Sequence, residues 1–264
     1  DYFAPALART IVTAHGQPDV ITFTNVFAHI EDLPVLLAAV RILMSPKTLL
    51  VVENHYLGAV LDRYQFDTFY HEHPRTYSLT SFRYIAQTLG ADVAAAEFPA
   101  RYGGNIRVMM QLRGDAGGEA PDLARLYARE NDFEHRLYDM GGRIPAWQKA
   151  KRAEIAEAVS RHGPLVGKAF PGRAAILVKL LDLDARMLGA VYEKPGSMKI
   201  GHYVPGTRIP ILSDADFAAR PNRDAPLLNL AWHISAEIHG YMRAQRYQGP
   251  IIDIFSAEEF ERAA

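Results

Sequence analysis

The sequence predicts an α/β protein made of two successive units, and three observations predict it. Short β-branched or aromatic runs alternate with helix-patterned stretches along most of the chain, as in sheets whose strands are joined by helices. A Gly-rich stretch ending in Pro, RGDAGGEAP at 113–121, interrupts that alternation once. The composition suits packed cores: of 264 residues 49% are hydrophobic and 22% charged, with a formal net charge of −1. The division that follows is an α/β unit over 1–115, a helical connection over 116–162 and a smaller α/β unit over 163–264.

The elements follow in order. Phe3, Leu7, Ile11 and Val12 recur at helical spacing and Gly16 stops the run, so the chain opens on a helix already under way. DVITFTNVF at 19–27 reads as a buried strand. Asp32 then caps a helix with Pro34 in its first turn, running to about Leu43. TLLVVEN at 48–54 is a second buried strand. A loop follows through 66–78, because Pro74 disfavours helix at His73. A helix over 79–89 ends at Gly90, and two strands, at 92–98 and 105–112, form a hairpin through RYGG, in which Gly103 and Gly104 shape the turn. Residues 122–162 are helical, with a break expected at GGRIP, 141–145. Alternation then resumes: strand LVGKAF, helix RAAILVKLLDL, strand RMLGAVYE, short strand TRIPIL, strand PLLNLAW, helix SAEIHGYMRAQRY and strand IIDIF. This second βαβ-type run has the size of a nucleotide-binding domain.

Composition also narrows the function classes. Near-neutral charge leaves no footprint for nucleic acid or anionic membrane. No apolar run approaches the ~20 residues of a membrane span. With no cysteine, disulfides, thiolate zinc sites and cysteine nucleophiles are excluded from this chain. A cytoplasmic monomer is the expectation.

One cluster stands out. FDTFYHEHPRTYS places Tyr70, His71, Glu72 and His73 side by side ahead of Pro74. A solvated loop would tolerate such a group at no cost. A metal site needs more than two histidines at i and i+2 on a loop, so no metal ligand is assigned. Proton transfer is the third reading, and position favours it. The loop follows a strand at its carboxyl end, where open α/β sheets bind ligands. TNVFAHIED brings Asn25 and His29 to the same end of the neighbouring strand.

Together FTNVFAHIEDL, VVENHYLGAVLDRYQFDTFYHEHPRTYSLTSF and RYGGNIRV resemble the sugar C-methyltransferases, whose members read NNVxAHI, FDxIYHEHxxYxS and HGGSxR. VGKAFPGRAAILVKLLDL and HYVPGTRIPIL are similar to VxGYGAxAKxxTLLNxxGI and RYxPGTHIPI of the same family. The resemblance implies the C-terminal part of a class I methyltransferase Rossmann-like domain over 1–115, followed by a second, smaller Rossmann-like domain that binds a nucleotide sugar. It implies S-adenosylmethionine (SAM) as methyl donor, a nucleotide-linked keto-deoxysugar as acceptor, and a place in deoxysugar and antibiotic biosynthesis. The family's cysteine-rich zinc module and Gly-rich SAM loop have no counterpart in the sequence. The expectation is that an N-terminal portion is omitted or separately encoded, which leaves an open edge beside the strand at 19–27. Lys168 and Ala169 replace the family's Tyr-Gly, and Arg173 replaces a Lys.

The resemblance also distributes roles. His73 is the base that removes a proton beside the ketone, and Glu72 holds or polarises it. Tyr70 and His29 hydrogen-bond the keto oxygen or neighbouring hydroxyls. Asn25 lies where the strand-end loop approaches SAM, and His71 and Tyr77 carry no chemical role. Arg173, Lys199 and Arg208 are the candidate cations for the nucleotide phosphates; Trp232 and His233 line the nucleotide pocket or cap the core. Two other classes remain open: a sugar-nucleotide epimerase or isomerase using the same Tyr/Glu/His group without SAM, and a non-catalytic nucleotide-sugar-binding partner of another chain.

Overall fold

The structure is a computed structural model and describes residues 2–113, 121–220 and 225–263. Its contacts divide the chain into two compact units, Asp1–Tyr138 and Asp139–Ala264.

The first unit opens with helix α1 (Pro5–His15), which has Pro at its first turn and stops at Gly16, and continues into β1 (Val20–Thr24). Helix α2 (Leu33–Leu43) starts as its sequence dictates: Asp32 caps it, its side chain accepting from Val35 N. Strand β2 (Leu49–His55) pairs parallel to β1. A short helix α3 (Leu57–Asp62) lies ahead of the histidine-rich loop, where the sequence reading had none. Helix α4 (Leu79–Leu89) has its first amides satisfied from two sides. Ser78 and Ser81 form a reciprocal capping box, and the buried carboxylate of Glu130 accepts from Leu79 N at 2.8 Å and Thr80 N at 2.7 Å. Gly90, in the left-handed region, ends the helix.

β3 (Ala91–Glu97) and β4 (Asn105–Leu112) form the expected antiparallel hairpin, and β4 inserts beside β2, giving the order β1-β2-β4-β3. The turn requires its glycines. Gly103 and Gly104 have φ of 88° and 116°, and a Cβ on Gly104 would lie 2.4 Å from that of Ala59. Phe27, Leu50, Val52, Leu79, Phe82, Ile106, Val108 and Met110 form the core between sheet and helices.

The linker expected at 113–121 falls mostly outside the described residues. Beyond it lie α5 (Pro121–Ala128) and α6 (Phe133–His162). The break expected at 141–145 is corrected: α6 runs unbroken through Pro145, and the interruption falls earlier, between α5 and α6. One proline removes a single N–H from the ladder. The buried stripe of Met140, Trp147, Lys151 and Ile155, at helical spacing, is gained only if the helix continues.

The second unit is a five-stranded, all-parallel sheet ordered β7-β6-β5-β8-β9: β5 (Leu165–Lys168), β6 (Leu188–Glu193), β7 (Ile211–Ser213), β8 (Leu227–Asn229) and β9 (Ile251–Asp253). Helices α7 (Ala174–Leu180), α8 (Asp214–Ala218), α9 (Ser235–Ala244) and α10 (Ala257–Arg262) accompany it. The strands are shorter than their apolar runs, and α8 and α10 were not foreseen. Chain order reverses between β5 and β8, the position where doubly wound sheets open a ligand crevice at their carboxyl ends. Among the described residues, no helix is long and apolar enough to cross a membrane.

Candidate active site

The carboxyl ends of β1 and β2 carry the site in the first unit. The segment after β1 makes a 3-10 turn, Phe27–His29, and the chain after α3 makes another, Phe66–Thr68, before entering the loop with His71 and His73. The two loops are fastened together. Arg75 donates to the carbonyl oxygens of Ile30 and Glu31, Tyr77 OH donates to Phe27 O at 3.2 Å, and His29 Nδ1 lies 2.7 Å from Glu72 O. Burial pushes the Tyr77 hydroxyl up to about 12, so it stays a donor.

These fastenings bring the expected side chains together. The rings of His29 and His73 meet edge to face at 4.9 Å, and Tyr70 lies 4.7 Å from His73. His73 is half-buried, with Nδ1 3.2 Å from Thr68 O. A carbonyl only accepts, so Nδ1 carries the hydrogen and the ring's lone pair stands on Nε2. The same reasoning puts the lone pair of neutral His29 on its Nε2. Glu72 acts on its neighbours: its carbonyl orients His29 and its carboxylate accepts from Tyr70 OH at 3.1 Å. Thr68 faces His73 Nδ1 with its hydroxyl as well, 3.4 Å from it and 3.3 Å from His55 Nδ1. His71 is exposed, its ring 5.7 Å from Tyr70.

Beneath this group lies a buried charge that the sequence reading passed over. Glu53, near the end of β2, is 2% exposed. Its carboxylate accepts from Arg101 at 2.6 Å, Arg107 at 2.9 Å and Asn105 Nδ2 at 2.8 Å. The Arg101 hydrogen bond, with those of Asn105 and Arg107, outweighs desolvation and lowers its pKa from 4.5 to about 2. Asn105 Nδ2 also donates to Asn25 Oδ1 at 3.2 Å. Asn25 sits at the end of β1 with φ of 53°, a conformation Asn adopts more readily than most residues. Its Nδ2 has no partner among the described residues and is not sealed in the interior. A glutamate inside the apolar run TLLVVEN was the available signal, since a charge there needs partners. Thr68, His55 and Arg75 gave none.

In the second unit, Arg173 is the N-cap residue of α7, in the loop after β5, with its guanidinium 5.2 Å from the Trp232 ring centroid. Lys199 holds that loop, donating to Phe170 O, with Glu193 at 3.9 Å. The two therefore share the carboxyl end of the sheet. Arg208 does not join them. It precedes β7 and lines an open cavity of about 600 Å³ with Lys179, Asp184, Arg186 and Thr207, at the amino end. Lys168 is 1% exposed and gripped by both Asp214 oxygens, at 2.6 and 2.7 Å, while Tyr241 OH donates to the same carboxylate. Desolvation lowers the Lys168 pKa and Asp214 opposes the shift. Among the described residues no cluster of three or more His, Asp or Glu is arranged to hold a metal.

Comparison with known proteins adds the following. The C-methyltransferase C-terminal domain family matches residues 100–252, and a general methyltransferase domain family matches 4–96. A C-methyltransferase, NovU of Streptomyces niveus, is 30% identical over 240 residues, covering 89% of this chain and 56% of that protein. The chain thus spans little more than half the length of this relative. A solved SAM-dependent methyltransferase of Anabaena variabilis ATCC 29413 overlaps 43% of the chain and 56% of its own, at 14% identity and a TM-score of 0.32.

Proposed function

Because the chain belongs to the C-methyltransferase family, with the family's C-terminal domain matched over more than half its length, we propose that it takes part in SAM-dependent C-methylation of a nucleotide-linked keto-deoxysugar. The observation that carries the reading is the His73 ring, with its Nδ1–H directed to Thr68 and its lone pair on Nε2, beside His29 and Tyr70 at the carboxyl end of a parallel strand pair.

When bound, SAM supplies an electrophilic methyl on a sulfonium. Asn25, whose carboxamide NH₂ has no protein partner, is suited to a molecule rich in acceptor oxygens and nitrogens. His73 Nε2 takes the proton from the carbon beside the ketone. That carbon, now nucleophilic as an enolate, would take the methyl group, the new carbon–carbon bond forming as the methyl–sulfur bond breaks and S-adenosylhomocysteine leaves with the electron pair. The positive charge left on His73 is met by the Thr68 carbonyl and hydroxyl at Nδ1. The enolate oxygen needs a donor. His29 supplies it in the imidazolium form, having taken a proton from solvent on Nε2 before the substrate binds, while its Nδ1–H remains on Glu72 O. Tyr70, donating to Glu72 in the resting structure, contributes when that bond is exchanged for the substrate. Arg173 is the candidate cation for the diphosphate, with the loop that carries it fixed by Lys199.

The test is His73→Ala in the full-length protein, assayed for methyl mass gain and for deuterium wash-in beside the ketone. A base contributes roughly 10²–10⁴-fold, and both signals are expected to fall by that order. Wash-in by the wild type without SAM and with no methyl gain would favour an epimerase. Undiminished transfer by the variant would remove His73 from the reaction.

A further inference from the structure

The hydrogen bonds around Glu53 have a direction, and it can be followed to the edge of the site. An ionised carboxylate accepts and never donates. Asn105, itself 1% exposed and 2.8 Å away, must therefore turn its NH₂ toward Glu53, since the opposite orientation would set two oxygens against each other. The same NH₂ reaches Asn25 Oδ1 at 3.2 Å. Asn25 thus has its amide oxygen engaged on the inner side. Its backbone is held as well, Asn25 N donating to Glu53 O at 2.7 Å. What remains toward the outside is Nδ2, a donor without a protein partner among the described residues.

From this relay we infer that Asn25 acts as a hydrogen-bond donor to the bound cofactor, with its polarity imposed by Glu53 through Asn105. The inference rests on the reading that the protein binds SAM, and it adds the class of atom that Asn25 recognises: an acceptor, such as a carboxylate or ribose oxygen, and not the ammonium group. Glu53 and Asn105 are then positioning residues, and Arg101 and Arg107, which keep Glu53 ionised, belong to the same device.

The sign of one substitution tests the idea. Asn25→Asp preserves volume, tolerates the left-handed backbone and still accepts from Asn105, but presents an anionic acceptor outward. Asn25→Ala removes the side chain without reversing polarity. Binding of unreactive S-adenosylhomocysteine to the full-length protein would be measured by calorimetry for wild type and both variants. Asn25→Ala is expected to weaken binding several-fold, and Asn25→Asp by at least a further factor of about ten. Equal weakening by both, or binding by Asn25→Asp as tight as wild type, overturns the inference. A second readout needs no variant. In wild-type side-chain amide spectra the Asn25 NH₂ should shift on ligand addition, while Asn105 NH₂ stays protected in free and bound protein; an unmoved Asn25 signal also overturns it. A wild type that binds no S-adenosylhomocysteine at all strikes the SAM reading itself, and the inference falls with it.

Discussion

At the scale of single residues, Glu53 shows how one charge can be buried and kept. Its cost of desolvation is met by two guanidinium groups and an amide, which is why the carboxyl titrates near 2 in the fold against an ordinary 4.5. A folded-state pKa below the unfolded one means that the unfolded chain binds the proton first as pH falls. The stabilisation is therefore complete above about 4.5 and is lost progressively as pH drops toward 2, and a shift of this size corresponds to roughly 3 kcal/mol. Urea unfolding of wild type and Glu53→Gln should show the gap between them at pH 7 shrinking steadily from pH 4.5 to 2.5. A gap that stayed constant with pH would mean that ionisation of Glu53 is not what the arginines stabilise. The same residue marks a limit of reading the sequence. Asn25 and His29 were legible in position because their loop follows β1 directly, and strand direction puts such a loop at one end of a sheet, whereas Tyr70 and His73 reach that end through α3, which no pattern announced. Arg101, Asn105 and Arg107 meet Glu53 only through the register of β4 against β2, and Thr68 meets His73 through a 3-10 turn, and no local pattern announces either.

At the scale of elements, starts and stops were more legible than continuity. Asp32, Gly16 and Gly90 act as local signals because a cap is a contact within one turn. The break expected at Pro145 failed because a local penalty was outweighed by a buried stripe extending seven residues to either side of Trp147 or beyond. Helix α4 combines a local cap with a distant one. Ser78 serves the third amide, whereas Glu130, from the turn after α5, serves the first two and also accepts from Tyr56 OH at 3.0 Å. Desolvation and the adjacent carboxylate raise the Tyr56 pKa, so its hydroxyl remains a donor throughout the physiological range. Because two helix amides lose a charged acceptor at once, Glu130→Ala should destabilise the fold by about 2–3 kcal/mol, against about 1 kcal/mol for Ser78→Ala. Denaturant midpoints of the two variants would check the ranking, and a reversed order would show that the distant carboxylate adds little to the capping box.

At the scale of the whole molecule, strand direction sorts the cations that the sequence had grouped. In an all-parallel sheet a residue just after a strand and one just before a strand stand at opposite ends, whatever their distance along the chain. Arg173 follows β5 and lies beside the point where chain order reverses between β5 and β8, whereas Arg208 precedes β7. If the nucleotide diphosphate is held at the carboxyl end, Arg173→Ala should raise KM for the nucleotide sugar by about tenfold or more, the worth of a charge-assisted hydrogen bond, with kcat little changed. Arg173→Lys, which keeps the charge but cannot reproduce the flat guanidinium near Trp232, should recover only part of that loss. Arg208→Ala should leave KM unaltered, since its cavity lies at the other end of the strands. The reverse pattern, with Arg208 controlling KM and Arg173 silent, would place the nucleotide at the amino end, against the usual rule for such sheets. The contrast isolates topology from charge, because both residues carry the same side chain on the same unit and differ in which end of a strand they adjoin.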